Sequence, residues 1–178
     1  MIYKPAEDSE LLARHLGIYV KGKSFLDMGA GSGIQSERAR KEGASSIVAA
    51  DIDRKSVNYV RKKGFKTLHS NLFASIKGKF NVIAFNPPYL PYNAKEDSLS
   101  RRSTTGGKTG DELTVRFIQG LSSHLALNGV ALIIVSSLTC HDRIEAALKK
   151  EKLHKRVIDN ENFFMESIEL WELTRKPQ

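Results

Sequence analysis

The sequence has 178 residues, 40% of them hydrophobic, and its 28 Lys and Arg against 20 Asp and Glu give a formal net charge of +8. This length predicts a single domain over residues 1–178, and the lack of any apolar run of roughly 18 residues excludes a membrane span, so we expect a cytoplasmic protein. The positive charge favours acidic partners such as RNA or the ribosome, although separate basic clusters are also typical of solvated helix faces.

Helices and short apolar strands alternate along the chain. The predicted elements are a helix at 7–20, a strand at 24–29, a helix at 34–43, a strand at 46–51, a helix at 53–64, strands at 65–72 and 80–86, a helix that carries the apolar stripe 113–125 and stops at Asn128-Gly129, a strand at 130–137, a helix near 141–150, and strands near 154–159 and 166–173. This order predicts an α/β fold with a parallel sheet covered by helices on both faces. Ligands of such folds bind beyond the carboxyl ends of the strands.

A glycine-rich loop, "LDMGAGSGIQ", joins the first strand to the next helix, with Gly29, Gly31 and Gly33 at every second position. Glycine suits backbone that turns sharply or lets a ligand approach closely. Asp51 ends the second strand 22 positions after Gly29, about the separation at which an acid reaches ribose hydroxyls. Loop and acid together predict a nucleotide-type ligand, whereas the loop alone is equally typical of a plain connector.

Two ligands of this type are possible, a dinucleotide or S-adenosylmethionine. The third glycine of the dinucleotide pattern is replaced by Ile34. Asp27, just ahead of the glycines, would repel a pyrophosphate but attract an ammonium or sulfonium group. The charges therefore favour S-adenosylmethionine.

The segment Asn86-Pro87-Pro88-Tyr89 follows a buried strand and predicts a catalytic pocket. Prolines lack an N–H and hold the chain extended, which leaves carbonyl oxygens free, and Asn86 adds a side-chain carbonyl. Two such oxygens, from Asn86 and Pro87, can receive both hydrogens of a planar NH2 group, and Tyr89 offers a flat face for stacking. The alternative is a proline-rich turn with Tyr89 as packing.

Other features predict little chemistry. Cys140 is the only cysteine, and the five histidines show no paired ligand spacing, so we expect no metal site. The polar loop Asn93 to Gly110 is typical of either a lid over the site or a connector.

The motifs "YKPAEDSELL" at 3–12, "DMGAGSG", "NPPY" and "GGKTGDELTVRF" at 106–117 resemble those of class I S-adenosylmethionine-dependent methyltransferases. The chain is similar to the HemK/PrmC family of protein glutamine N5-methyltransferases, in its short archaeal and eukaryotic branch. This resemblance implies a Rossmann-like, seven-stranded, mostly parallel sheet with the last strand antiparallel. One departure is Thr104-Thr105 ahead of Gly106-Gly107, where relatives often have a bulky residue.

The resemblance also implies roles for individual residues. Those implied to bind the donor are Ser9, Asp27 and Gly29 at its methionine end, Gly31 in the same loop, Asp51 at the ribose, Asn71 at the adenine, and Asn86. On the acceptor side, Asn86 and the Pro87 carbonyl would bind a glutamine amide, with Tyr89 beside it.

The implied reaction is methylation of the Gly-Gly-Gln glutamine of a peptide-chain release factor. A small zinc-binding activator is the implied partner, and the edge strand from Phe65 to Leu72 is its candidate contact. Because "NPPY" is shared with nucleic-acid methyltransferases, N-methylation of adenine or guanine in RNA or DNA is an alternative. A non-catalytic, donor-binding protein associated with the ribosome is a further one.

Overall fold

The computed structural model describes residues 7–92, 104–163 and 166–175. The helices are α1 (Glu7–Val20), α2 (Ile34–Lys41), α3 (Arg54–Lys62), α4 (Glu112–His124) and α5 (His141–Lys150), with a 3₁₀ turn at Leu72–Ser75. The strands are β1 (Ser24–Met28), β2 (Ser46–Asp51), β3 (Lys66–His69), β4 (Phe80–Phe85), β5 (Leu90–Pro91), β6 (Thr105–Gly107), β7 (Leu125–Ser136), β8 (Leu153–Phe163) and β9 (Glu166–Arg175). No helix within these ranges combines the length and apolarity needed to cross a bilayer.

Seven strands form one sheet in the order β3-β2-β1-β4-β7-β9-β8. The first five are mutually parallel, and β9 runs antiparallel to both of its neighbours. The expected seven-stranded, mostly parallel sheet with an antiparallel last strand is confirmed. β5 and β6 form a separate parallel pair outside this sheet.

Alternation of side chains along the strands divides the core between the two faces of the sheet. On one face, the leucines of α1 pack against Phe25, Val82 and Ala84. On the other, Phe117 of α4 and the residues of α5 pack against Ile83 and the strands around it. Helices therefore cover both faces, as the sequence predicted.

The end of α4 differs from the sequence prediction. Asn128-Gly129 was expected to stop this helix, but α4 ends at His124 and Leu125 already pairs with Phe80 in the sheet. Asn128 has a φ of 58°, and the register shifts at this place, so the pair forms an irregularity inside β7. The segment from Leu125 onward pairs with β4 and so ends the helix before Asn128-Gly129 is reached. The local sequence does not show this, because the stability of a strand depends on its neighbours in the sheet.

β3 is shorter than the predicted strand 65–72. It ends at His69, and Leu72, with a φ of 48°, begins the 3₁₀ turn. β3 is the first strand in the sheet order, so it lies at an edge of the sheet, as predicted from the sequence.

Candidate active site

The polar ends of three adjacent strands define the site. Asp27 of β1 lies level with Ala49 of β2 and with Ala84 of β4. Asp51 lies two residues beyond Ala49, at the end of β2. Asn86 lies two residues beyond Ala84, directly after β4. Because side chains alternate with a period of two, all three polar residues belong to the face covered by α1 and α2. The structure thus brings together residues from three separate stretches of sequence.

The glycine-rich loop between β1 and α2 is a strained turn held by Asp51. Gly29, Gly31 and Gly33 have φ values of 66°, 50° and 81°, a region that side chains disfavour. The Gly31 N–H donates to Asp51 Oδ2 over 2.8 Å, and the Asp53 N–H donates to Oδ1 over 2.7 Å. Burial raises the pKa of Asp51 despite these donors. Each carboxylate oxygen keeps a second lone pair that can accept a hydroxyl hydrogen.

Asp27 lies beneath the same loop and is 1% exposed. Its Oδ2 accepts hydrogen bonds from the Ser36 N–H over 2.9 Å and from Ser36 Oγ over 2.6 Å. Burial raises the pKa of Asp27 to about 7, against the lowering effect of these two donors. A nearby cation would favour the ionised form, so this carboxyl can respond to a positively charged ligand.

Ser9 connects α1 to the Asn-Pro-Pro-Tyr segment. It lies inside α1, 3% exposed, and its Oγ accepts a 3.0 Å hydrogen bond from Asn86 Nδ2. With its amino group so engaged, Asn86 keeps Oδ1 buried and without a hydrogen-bond partner among the described residues. The family resemblance implies a donor contact for Ser9, and nothing in the sequence indicates that this hydroxyl orients the Asn86 amide.

Pro87 and Tyr89 complete the segment. Pro87 is buried, and Tyr89 is half-buried against the core on the α1 side. The Tyr89 hydroxyl donates to Asp8 Oδ2 over 3.4 Å. Asp8 and Ser9, neighbours in α1, therefore hold the two ends of the tetrapeptide.

The opposite side of the segment is held by the second glycine motif, Gly106 to Gly110. β6 pairs with β5, and the Tyr92 N–H donates to the Gly107 carbonyl over 2.9 Å. A Cβ added to Gly110 would stand 2.4 Å from the Tyr89 carbonyl oxygen. Of the predicted loop Asn93 to Gly110, positions 93–103 lie outside the described residues, while the rest packs on the site.

An ion-pair network supports this glycine motif. Asp111 is fully buried, and its Oδ2 lies 3.2 Å from Nε of Arg143 on α5. Arg143 Nη1 also donates to Thr109 Oγ1 over 3.0 Å, and the Thr109 N–H donates to Glu112 Oε1 over 3.1 Å. Sequence reasoning missed this network, although the charged pair directly after Gly110 is a usable signal.

Asn71 follows the edge strand β3. Its Oδ1 accepts a 3.0 Å hydrogen bond from Arg116 Nη2 on α4, and both side chains are exposed. Asn71 Oδ1, the oxygen expected to approach the adenine, thus already accepts one hydrogen bond. A carbonyl oxygen can accept a second hydrogen bond, so this contact leaves the expectation open.

Buried polar atoms without partners indicate where a ligand fits. Among the described residues these include Ser32 Oγ within the glycine-rich loop, Gln35 Oε1 in the helix that follows it, and Asn86 Oδ1. They accompany two carboxyls, the buried Asp27 and the half-buried Asp51, which suit a cation and a ribose. This set fits S-adenosylmethionine. Within the described ranges no three His, Cys, Asp or Glu side chains come together as metal ligands.

Comparison with known proteins agrees with this geometry. Residues 4–164 match the protein family described as methyltransferase small domain. A putative protein N5-glutamine methyltransferase of Methanocaldococcus jannaschii is 41% identical over 146 residues, which cover 78% of this chain and 74% of that protein. A release factor glutamine methyltransferase of Borreliella burgdorferi is 27% identical over 171 residues, 86% of this chain and 60% of that protein.

Solved structures show the same fold. In the Mtq2–Trm112 complex of E. cuniculi, described as responsible for methylation of the eRF1 translation termination factor, the matching chain superposes with a TM-score of 0.80 at 22% identity. The match covers 98% of this chain and 99% of that one. The resemblance stated from the sequence motifs is therefore confirmed. This chain belongs to the methyltransferase small domain family and is an S-adenosylmethionine-dependent N-methyltransferase.

Proposed function

We propose that this chain methylates the side-chain amide of the glutamine in the Gly-Gly-Gln sequence of a peptide-chain release factor. The glutamine and release-factor methyltransferases among its relatives support this substrate. The observation that carries the proposal is Asn86 Oδ1, a buried acceptor with no partner among the described residues at the end of β4.

Asn86 and Pro87 recognise the amide nitrogen through its two hydrogens. Asn86 Nδ2 is engaged by Ser9, so only the oxygen of Asn86 faces the substrate. The Pro87 carbonyl supplies the second acceptor, since consecutive prolines leave it outside any ladder. A glutamate has no N–H to donate, and its carboxylate would be repelled by these oxygens, so the site selects glutamine.

Positioning is the main contribution of the chain to catalysis. S-adenosylmethionine, when bound, supplies an electrophilic methyl group on a positively charged sulfur. Asp27 and the glycine-rich loop hold the methionine end of this cofactor, and Asp51 holds its ribose. Fixing both N–H bonds of the glutamine directs the third side of its nitrogen toward the crevice. The same two acceptors bind more tightly as the nitrogen gains positive charge in the transition state. As the N–CH3 bond forms, the S–CH3 bond breaks and S-adenosylhomocysteine is left, and the nitrogen then gives up one of its two protons to solvent.

A small activator subunit pairs with the edge strand β3 in this proposal. The Mtq2 structure was solved with Trm112, and β3 offers an edge with no further strand in the described sheet. An edge strand is a template for pairing with another chain. Hydrogen exchange of the amides at 66–69 tests this contact: protection on adding a Trm112-type subunit supports it, and unchanged exchange contradicts it. Contact with RNA or the ribosome is part of the same proposal and rests on the charge of +8.

Incubation with isotopically labelled donor tests the substrate. A class I release factor, the same factor with the Gly-Gly-Gln glutamine changed to glutamate, tRNA and DNA are compared, with and without the activator. Label on the first factor alone supports the proposal, label on nucleic acid alone favours base methylation, and no label favours an accessory role. Asn86→Ala should abolish transfer and retain donor binding, whereas the matched control Asn58→Ala, on the exposed face of α3, should change neither.

A further inference from the structure

The side chain of Gln35 is buried with only half of its amide satisfied. Gln35 is 5% exposed, and its Nε2 donates a 2.9 Å hydrogen bond to the backbone carbonyl of Ser9. Its Oε1 is buried and has no hydrogen-bond partner among the described residues. A buried oxygen left in this way destabilises the free chain, and a hydrogen-bond donor on a ligand would remove that penalty.

The orientation of this amide is determined by Ser9. A backbone carbonyl can only accept, so the amino group of Gln35 must face it, and a flipped amide would place two oxygens against each other. Asn86 is arranged similarly: its amino group donates to the Ser9 hydroxyl, and its Oδ1 has no hydrogen-bond partner among the described residues. Ser9 therefore holds two side-chain amides whose free oxygens can receive only hydrogen-bond donors.

The position of Gln35 indicates which donor it meets. It is the second residue of α2, next to Ser36, which donates to Asp27. Through Ser9 it is linked to Asn86, which directly follows β4, whereas Asp51 lies on β2, on the other side of β1. The hydroxyl and base amine donors of a nucleoside belong to the Asp51 side. The remaining donor of the cofactor is the ammonium of its methionine end.

We infer that Gln35 binds S-adenosylmethionine directly, with Oε1 accepting a hydrogen bond from the α-ammonium group. The carboxyl of Asp27 supplies negative charge to this group, and Gln35 supplies a directed neutral acceptor. The first turn of α2 thus contributes a side-chain contact to the methionine end.

Calorimetric binding to Gln35→Met tests this contact, because Met retains the length and apolar packing of the side chain. The ligands are S-adenosylhomocysteine, its decarboxylated analogue, which keeps the ammonium, and its deaminated analogue, which lacks it. We expect a loss of affinity of tenfold or more for the first two ligands and no change for the third. The matched control Gln119→Met, on the exposed face of α4, should bind all three as the parent does.

Equal loss for all three ligands would mean that Gln35 only supports the fold of the site, and no loss for any would remove it from the pocket; either result overturns the inference. The unsubstituted chain gives an independent readout. The ¹³C resonance of the Gln35 side-chain carbonyl should move when S-adenosylhomocysteine is added and stay in place with the deaminated analogue. The same movement with both ligands would also overturn it.

Discussion

Gly106 faces the carbonyl oxygen of Pro88 so closely that an added Cβ would stand 2.5 Å from that oxygen. The same Cβ would stand 2.1 Å from the Gly110 carbonyl oxygen. Gly106→Ala should therefore push the Asn-Pro-Pro-Tyr segment and Gly110 apart and lower kcat by about a hundredfold, the effect of misplacing a reacting group by about 1 Å. The Kd for S-adenosylhomocysteine should stay within about threefold of the parent value, since Asn86 is the one proposed donor-binding residue in this segment and the others lie in α1, in β2, after β3 and around the glycine-rich loop.

Gly17→Ala is the matched control for this substitution. A Cβ at Gly17 meets only the flexible end of Glu42, and Ala favours the helix by about 1 kcal/mol. Full activity of Gly106→Ala would show that the segment tolerates displacement and would contradict the positioning role of the glycine motif.

Ser9 is expected to act on catalysis through Asn86. Ser9→Ala removes the acceptor of Asn86 Nδ2, so the amide can rotate, and kcat at saturating donor should fall about tenfold, the value of one hydrogen bond. Ser9→Thr retains the hydroxyl and should recover most of the rate. Should Ser9→Ala instead weaken donor binding with kcat unchanged, Ser9 would be a donor contact alone.

Donor affinity should depend on the ionisation of Asp27. Burial raises its pKa to about 7, and an ammonium or sulfonium prefers the ionised carboxylate, so affinity for S-adenosylhomocysteine should rise roughly tenfold from pH 6 to pH 8. In Asp27→Asn this rise should disappear. Calorimetric titrations across this pH range measure both slopes, and a parallel rise in the two proteins would contradict the assignment.

The stability of the free chain should change with pH in the opposite direction. Burial raises the pKa of Asp27 from 3.8 to about 7, so its contribution to the free energy of unfolding is lost progressively as the pH rises from about 4 to about 7. Thermal melts without ligand separate this effect from the binding effect.

Arg143 should stabilise the chain by neutralising buried Asp111. Arg143→Met leaves a fully buried carboxylate with fewer donors and should lower the free energy of unfolding by about 2 kcal/mol, measured in urea. Arg14→Met removes a more exposed ion pair, with Glu161, and should cost below about 1 kcal/mol. Equal losses in the two variants would show that the Asp111 pair has no special role.

Much of the fold and part of the site follow from local patterns. The helix at 7–20 and the strand ends at Asp27, Asp51 and Asn86 could be predicted because apolar spacing and turn residues are adjacent in the chain. That these three side chains belong to one face of the sheet follows from the period of two only once the register of β1 against β2 and β4 is known.

Other contacts depend on how distant elements cross and could not be predicted. Ser9 meets Asn86 across 77 positions, and Arg143 meets Asp111 across 32. The predicted end of the helix at Asn128-Gly129 was wrong, because the pairing of β7 with β4 cannot be read from the residues near it. Polar partners far apart in sequence carry no periodic signal, so only the folded chain reveals them.

The place of β9 constrains the order in which the chain can assemble. β8 is made before β9, yet it joins the sheet only through β9, which also delivers the fully buried Trp171 to the core. During synthesis, β8 must wait with an unpaired backbone until positions 166–175 have left the ribosome. A fragment stopped before Glu166 would expose both β7 and β8 as open edges, so truncation there should yield an aggregating product in place of a smaller enzyme.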